Sequence, residues 1–219
     1  MSPVVSSAVG VTLIGGGEVT PGDLAQALAF APVVVAADSG ADVALARGIV
    51  PEAVIGDLDS ISAAALGAIP PDRVHRIAEQ DTTDFEKCLG RIAAPFVVAV
   101  GFGGPRLDHL LACLTSLVRL RRPPCLLLAG EDAIFAAPPR LRLDLPAGTR
   151  LSLYPLGRVT GSGEGLRWPL DGLTLDPACR VGTSNQVTKA VELMLDGPCL
   201  VILPREHAAE AMKAISGCC

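Results

Sequence analysis

Val33-Val34-Val35-Ala36-Ala37-Asp38-Ser39-Gly40-Ala41-Asp42-Val43-Ala44-Leu45-Ala46-Arg47-Gly48 is the stretch on which the reading of the fold turns. Val33–Ala37 is a continuous apolar run of strand length, rich in β-branched residues and closed by an aspartate. Ala41–Arg47 reads as a helix that stops at Gly48. A strand with no polar alternation, followed at once by a helix, is the unit from which a parallel sheet covered by helices is built.

The same pattern extends in both directions. Val11–Ile14, Ala53–Ile55, Arg73–Ile77, Phe96–Val100 and Cys125–Leu128 are further strand candidates, each closed by Gly, Asp or Pro. Helices are predicted over Pro21–Phe30, where Thr20 and Pro21 mark the start, and over Thr83–Ile92 and Asp108–Leu120, where apolar residues recur every three or four positions. Beyond Glu131 the texture changes. Leu141-Arg142-Leu143-Asp144-Leu145 and Arg150-Leu151-Ser152-Leu153-Tyr154 alternate apolar and polar residues and are followed by Pro146-Ala147-Gly148 and Pro155-Leu156-Gly157, the pattern of half-buried antiparallel strands. The predicted protein is therefore α/β: an N-terminal wound, mostly parallel sheet with helices on both faces over residues 1–132, followed by a C-terminal antiparallel β-sandwich over 133–219. Glu206–Ile215 reads as a terminal helix and Ser216–Cys219 as a loose tail.

Composition narrows the function. Half of the 219 residues are hydrophobic, only 19% are charged and 3% are aromatic, so the core is aliphatic and intrinsic disorder is excluded. No run of 18 apolar residues occurs, and the first residues lack the pattern of a signal peptide, so a cytoplasmic protein without a membrane span is expected. The seven cysteines form no C-x-x-C pair, and most lie in apolar runs as reduced core residues. A net charge of −5 with no basic stripe makes a nucleic-acid polymer a poor partner.

Aspartates recur where predicted strands end, at the edge where wound sheets bind ligands: Asp38, Asp57, Asp59, Asp81, Asp84 and Asp108. In Gly56-Asp57-Leu58-Asp59-Ser60 the two carboxylates are spaced to face one hard cation such as Mg²⁺, although alone they also suit a turn. Gln80-Asp81-Thr82-Thr83-Asp84-Phe85-Glu86-Lys87 lies at a loop-to-helix junction, where Thr82 or Thr83 caps the helix and Lys87 can pair with Asp84 or reach a phosphate. Gly101-Phe102-Gly103-Gly104-Pro105-Arg106-Leu107-Asp108-His109 offers an arginine fork in Arg106 and, in Asp108, either a helix cap or a group that handles a hydroxyl. His109 reads as a partly buried polar residue. Gly15-Gly16-Gly17 follows the first strand without the spacing of a Rossmann or Walker loop.

Taken in order, Asp38-Ser39-Gly40, Gly56-Asp57-Leu58-Asp59-Ser60, Asp81-Thr82-Thr83-Asp84-Phe85-Glu86-Lys87, Arg106-Leu107-Asp108-His109 and Thr183-Ser184-Asn185 resemble the motif series of the thiamine pyrophosphokinase family. The resemblance runs from about Val11 to Val187. It implies an N-terminal domain that binds Mg-ATP, a C-terminal domain for thiamine binding and dimerisation, and a homodimer with thiamine sites between subunits. By matching position it implies that Asp57, Asp59 and Asp84 hold magnesium, that Asp38, Ser39, Gln80, Thr82, Thr83 and Lys87 line the nucleotide, and that Arg106 and Asp108 act at the reacting groups. Trp168, Ser184 and Asn185 would contact thiamine. Independently, the single Trp of an aromatic-poor chain is suited to stack on a planar cationic heterocycle, and equally to anchor a β-sandwich. Pro105 interrupts the family's Gly-Gly-Arg-x-Asp-His pattern, and Gln186 stands where many members carry Glu. The implied reaction moves a diphosphoryl group from ATP to the thiamine hydroxyl and releases AMP. Other readings are transfer to a hydroxymethylpterin, a nucleotide-binding module without catalysis, and a D-x-D sugar transferase.

Overall fold

The computed structural model describes residues 2–104 and 106–217. Pro105, Met1 and the Cys218-Cys219 end of the expected tail lie outside the described residues. Two compact units emerge: the described residues of Met1–Ser116 with Arg122–Ala129, and those of Leu117–Arg121 with Gly130–Cys219.

In the first unit the strands are β1 (Val5–Ser6), β2 (Val11–Ile14), β3 (Val33–Ala37), β4 (Ala53–Gly56), β5 (Val74–Arg76), β6 (Ile92–Ala93), β7 (Val97–Val100) and β8 (Cys125–Ala129). The helices are α1 (Pro21–Phe30), α2 (Gly40–Leu45), α3 (Ala63–Ala68), α4 (Asp84–Leu89) and α5 (Leu107–Arg119), whose last residues group with the second unit. The main sheet runs β8-β7-β2-β3-β4-β5, and every pairing in it is parallel. Strand order turns back at β2, which has β3 on one side and β7 on the other. β1 and β6 form a separate parallel pair.

The valine and leucine runs explain this sheet. Leu13, Ile14, Val35, Val54, Ile55, Val97, Val98, Leu126 and Leu127 are all fully buried, as strands covered on both faces require. Thr20 and Asp23 satisfy each other's backbone N–H at the start of α1, a capping box that fixes where that helix begins. α2 packs on β2 and β3, and α4 on β3 and β4, so the polar starts of these helices meet the carboxyl ends of the strands.

The Gly15–Gly17 triplet serves packing. The Gly15 N–H donates to the Val100 carbonyl and the Gly17 N–H to the Gly101 carbonyl, each at 2.9 Å. A Cβ on Gly15 would lie 2.5 Å from the Gly101 carbonyl oxygen, and one on Gly40 would lie 2.0 Å from that of Ile14. Three strand-to-helix connections thus cross at backbone contact, which leaves no room for side chains.

The second unit contains β9 (Asp132–Ala136), β10 (Arg140–Leu143), β11 (Arg150–Pro155), β12 (Val159–Leu166), β13 (Thr174–Leu175), β14 (Gly182–Asp196), β15 (Cys199–Pro204) and the helix α6 (Ala208–Ser216). Strand order is β13-β12-β14-β11-β15-β9, with β10 also on β14, and all pairings are antiparallel. The 15-residue β14 organises this unit: its first residues pair with β11, while Val191–Met194 pair with β10 and Glu192, Leu193 and Met194 also with β12. Leu141, Leu143, Leu151 and Leu153, from the two alternating segments, are buried. No helix among the described residues is long and apolar enough to cross a membrane.

Replacing Gly40 by Ala forces a Cβ into the Ile14 carbonyl, and overpacking against backbone costs about 2–3 kcal/mol. Chemical denaturation of Gly40→Ala should show a midpoint well below that of the parent chain; an unchanged midpoint would refute the crossing of the three connections.

Candidate active site

Three residues other than glycine have positive φ among the described residues: Asp38 at 46°, Leu58 at 66° and Ser184 at 57°. Each conformation costs about 1–2 kcal/mol for an L-residue. All three fall inside motifs read from the sequence. Such strain persists only where the surrounding structure enforces it, and it gathers at functional sites.

The first two build one cluster. β3 and β4 pair with Ala37 opposite Ile55, which puts Asp38 beside Gly56 and one residue from Asp57. The Asp38 N–H donates to the Ile55 carbonyl at 3.2 Å, fixing the turn. Gly56 keeps this approach open, since a Cβ at that position would meet the Asp38 side chain at 3.0–3.3 Å and press it aside. Carboxylate oxygens of Asp38, Asp57 and Asp59 lie within 4.8 Å of one another. Asp38 is only 2% exposed, and neither of its oxygens has a hydrogen-bond partner. Burial first, then the neighbouring Asp57 and Asp84 carboxylates, raise its pKa. An orphaned buried carboxylate beside two others has the donor set of a hard divalent cation.

Asp57 is held in the opposite direction. Gln80 donates Nε2–H to its Oδ2 at 2.9 Å, and the Asp59 N–H donates to Oδ1 at 3.4 Å. The Gln80 bond leads, against a smaller opposing effect of burial, and with lesser help from Asp59, Asp38 and Lys87 brings the Asp57 pKa down to about 2. The Lys87 ammonium, 3% exposed, lies 3.1 Å from Asp84 Oδ1 and 3.6 Å from Asp57 Oδ2. Burial disfavours its charge, but the Asp84 hydrogen bond and the carboxylates of Asp84, Asp57 and Glu79 outweigh that and raise its pKa. Asp84 thus joins the site through Lys87, and Asp38, read from the family pattern as a nucleotide contact, stands with Asp57 and Asp59.

The loop before α4 is tied internally. Glu79, which the sequence reading did not single out, accepts from the N–H groups of Asp81 and Thr82 at 2.9 and 3.1 Å and from the Thr82 hydroxyl. Thr83 caps α4 by accepting from the Glu86 N–H at 3.3 Å. Ser39 stands at the start of α2 without a capping bond from its side chain. Phe102 packs edge-on against buried Phe85 with ring centroids 4.8 Å apart, joining the glycine loop after β7 to α4.

Arg106 and Asp108 pair with each other at the start of α5, at 2.6 and 3.3 Å, and both are about two-thirds exposed. Arg106 lowers the Asp108 pKa and is itself raised by it. His109 is exposed, where the sequence suggested partial burial, because it lies on the solvent side of the first turn of α5.

A second patch lies in the other unit. Trp168 is 52% exposed, so it is not a buried anchor. Buried Asn185 clips its backbone: Nδ2–H donates to the Trp168 carbonyl at 2.8 Å, and Oδ1 accepts from the N–H groups of Trp168 and Gln186 at 3.1 and 2.9 Å. Ser184 donates its N–H to the Ser152 hydroxyl at 2.9 Å, which holds its left-handed turn.

Carboxylates gathered at the carboxyl edge of a wound parallel sheet, with a buried lysine between them, make an arrangement suited to an enzyme that works on phosphate groups. Comparison with known proteins makes this specific. Residues 24–127 match the family described as thiamin pyrophosphokinase, catalytic domain. The chain is an ATP-dependent diphosphotransferase. No curated protein matches it significantly in sequence. Among solved structures it is similar to thiamin pyrophosphokinase from Candida albicans, with 14% identity, TM-score 0.75, and 93% of this chain and 92% of that one covered. A protein from Lactobacillus plantarum aligns at 26% identity and TM-score 0.74, covering 90% and 99% of the two chains. Thiamin pyrophosphokinase from Geobacillus thermodenitrificans aligns at 22% and 0.73, covering 89% and 96%. These likenesses establish a shared mixed α/β fold.

The sign of the Asp38 shift yields a stability prediction. A carboxyl whose folded-state pKa is raised favours folding below its unfolded value, and that contribution is lost as pH rises through the folded one. Without metal, the ionised form of Asp38 is therefore a cost. Asp38→Asn should raise the melting temperature of the metal-free protein at pH 7, and the gain should shrink as the pH falls into the acid range. A lower melting temperature for this variant at pH 7 would contradict the electrostatic account of the cluster.

Proposed function

We propose that the acidic edge of the first unit binds Mg-ATP and that the Trp168 patch of the second receives thiamine. The protein acts as a thiamine diphosphokinase, transferring a diphosphoryl group from ATP to the thiamine hydroxyl and releasing AMP. The observation that carries the metal reading is the buried Asp38 carboxylate with two unpartnered oxygens, grouped with Asp57 and Asp59. We assign the cation to Asp57, Asp59 and Asp84, with Asp38 as a further oxygen donor. Mg²⁺ bound there supplies positive charge to the phosphate oxygens and to the departing AMP.

The chain's own groups supply positioning and fixed charge. Gln80 holds Asp57 in its ionised, ligand-ready form. Lys87, anchored by Asp84 and Asp57, contributes a cation that needs little reorganisation during reaction. Ser39, Thr82 and Thr83 stand on the connections that frame the nucleotide, with Thr82 and Thr83 fixing the loop before α4. Arg106 moves from Asp108 to a phosphate. Once that pairing is broken the Asp108 pKa climbs back toward its ordinary value, and its carboxylate accepts the hydroxyl proton. Trp168 stacks on a thiamine ring, and Ser184 and Asn185 shape that platform.

We further infer a homodimer with thiamine sites between subunits, in which the second unit is a β-sandwich that binds thiamine and dimerises. The reduced, buried cysteines Cys88, Cys113, Cys125 and Cys199 fit a cytoplasmic location. The pterin acceptor and the non-catalytic module are not favoured.

Asp57→Asn tests the assignment. It keeps the size of the side chain and removes a charged ligand, so turnover should fall at least about a thousandfold, comparable to losing several kcal/mol of transition-state stabilisation, while the circular dichroism stays native. AMP release at the parent rate would sink the metal assignment.

A further inference from the structure

Trp168 carries a resident cation. The guanidinium carbon of Arg167 sits 4.9 Å from the centroid of the indole, inside the range of a cation–π contact. Adjacent residues of a regular strand point to opposite faces, so this contact needs a bend in the chain, and it occurs just after β12 ends at Leu166. Two bonds from Gln186 fix that bend: its carbonyl accepts from the Arg167 N–H at 2.8 Å, and its Oε1 accepts from Arg167 Nη1 at 2.9 Å. Asn185 holds the Trp168 backbone from both sides. Consecutive residues of β14 therefore govern different parts of one exposed aromatic: Asn185 its main chain, and Gln186 the arginine that covers its ring.

We propose that Arg167, steered by Gln186, is a positioning residue for thiamine: it occupies one face of Trp168 and leaves the opposite face as a single preorganised stacking surface. This inference rests on the reading that Trp168 receives thiamine. An exposed indole free to change rotamer would lose orientational entropy on stacking, and the arginine removes part of that loss in advance. A neutral amide at position 186 suits the task, because it orients the guanidinium without neutralising the charge that attracts it to the ring. Gln186, the departure from the family's usual Glu, thereby acquires a role.

Trp168 is the chain's single tryptophan, so its fluorescence reports on this ring alone. Thiamine titrated into the intact protein should change the emission and give a dissociation constant. Arg167→Ala should weaken that constant about two- to fivefold, the factor that corresponds to an exposed cation–π contact, and should raise acrylamide quenching of the ligand-free protein. KM for thiamine should rise in parallel while KM for Mg-ATP holds. Gln186→Leu should move both fluorescence readouts in the same direction, and Gln186→Glu, which keeps the acceptor oxygen but pairs the guanidinium with a charge, should recover them only in part. Arg167 and Gln186 are outside the buried core, so these variants keep the fold. Unchanged or tighter thiamine binding by Arg167→Ala, with a normal response in the parent, would overturn the positioning role alone. Thiamine that leaves the parent's emission unaltered while it is still turned over would overturn the Trp168 reading and this inference with it.

Discussion

Repulsion among carboxylates is the constraint around which the first unit is arranged. Asp38, Asp57, Asp59 and Asp84 meet at one edge of the sheet, and Lys87 is the buried ammonium among them. A buried lysine is costly unless paired, and here it has two partners. The pairing is incomplete, because Asp38 retains two oxygens without partners. The folded chain is thus short of positive charge at this edge, which is the basis of the proposed divalent-cation site. A more stable version of the same sheet would replace these acids, which is the trade between stability and activity expected of a binding edge.

The backbone bears part of the same cost. Asp38 and Leu58 are held in left-handed conformations at the ends of β3 and β4, and Gly56 and Gly40 clear the space that these turns occupy. Ser184 repeats the device on β14, where the bends needed for Asn185 and Gln186 to reach Trp168 and Arg167 are made. Strain and hydrogen bonding converge on the residues that touch ligands in the proposed reaction, and in the second unit the pairings of β14 with β11 and β12 shift register beside them.

Much of this was legible in the sequence, for physical reasons. Val34-Val35-Ala36 and Val97-Val98 have no polar alternation, and only a strand covered on both faces buries every residue. The start of α1 was written in Thr20 and Pro21, and the structure adds Asp23 to that cap. Helix α3, by contrast, is six residues of Ala, Leu and Gly with no period to detect, and its one signal is the Ser62 cap that accepts from the Ala65 N–H. The membership of Asp38 in the carboxylate group depends on the register of β3 against β4, which no local pattern encodes. Asn185 could be matched to a substrate loop, but its actual work, bonding to both sides of the Trp168 peptide, appears only when two distant strands are brought together. Glu79 differs: its hydrogen bonds are local, to Asp81 and Thr82, but no residue spacing marks it as the tie of that loop.

Product identification tests the central claim most directly. ATP labelled at the β-phosphorus, incubated with the protein, Mg²⁺ and either thiamine or a hydroxymethylpterin, distinguishes attack at the β-phosphorus from attack at the γ. The account requires that thiamine gain two phosphates, that the label travel with them, and that AMP appear in equal amount. Formation of ADP with a monophosphate product, or transfer to the pterin and not to thiamine, would contradict it.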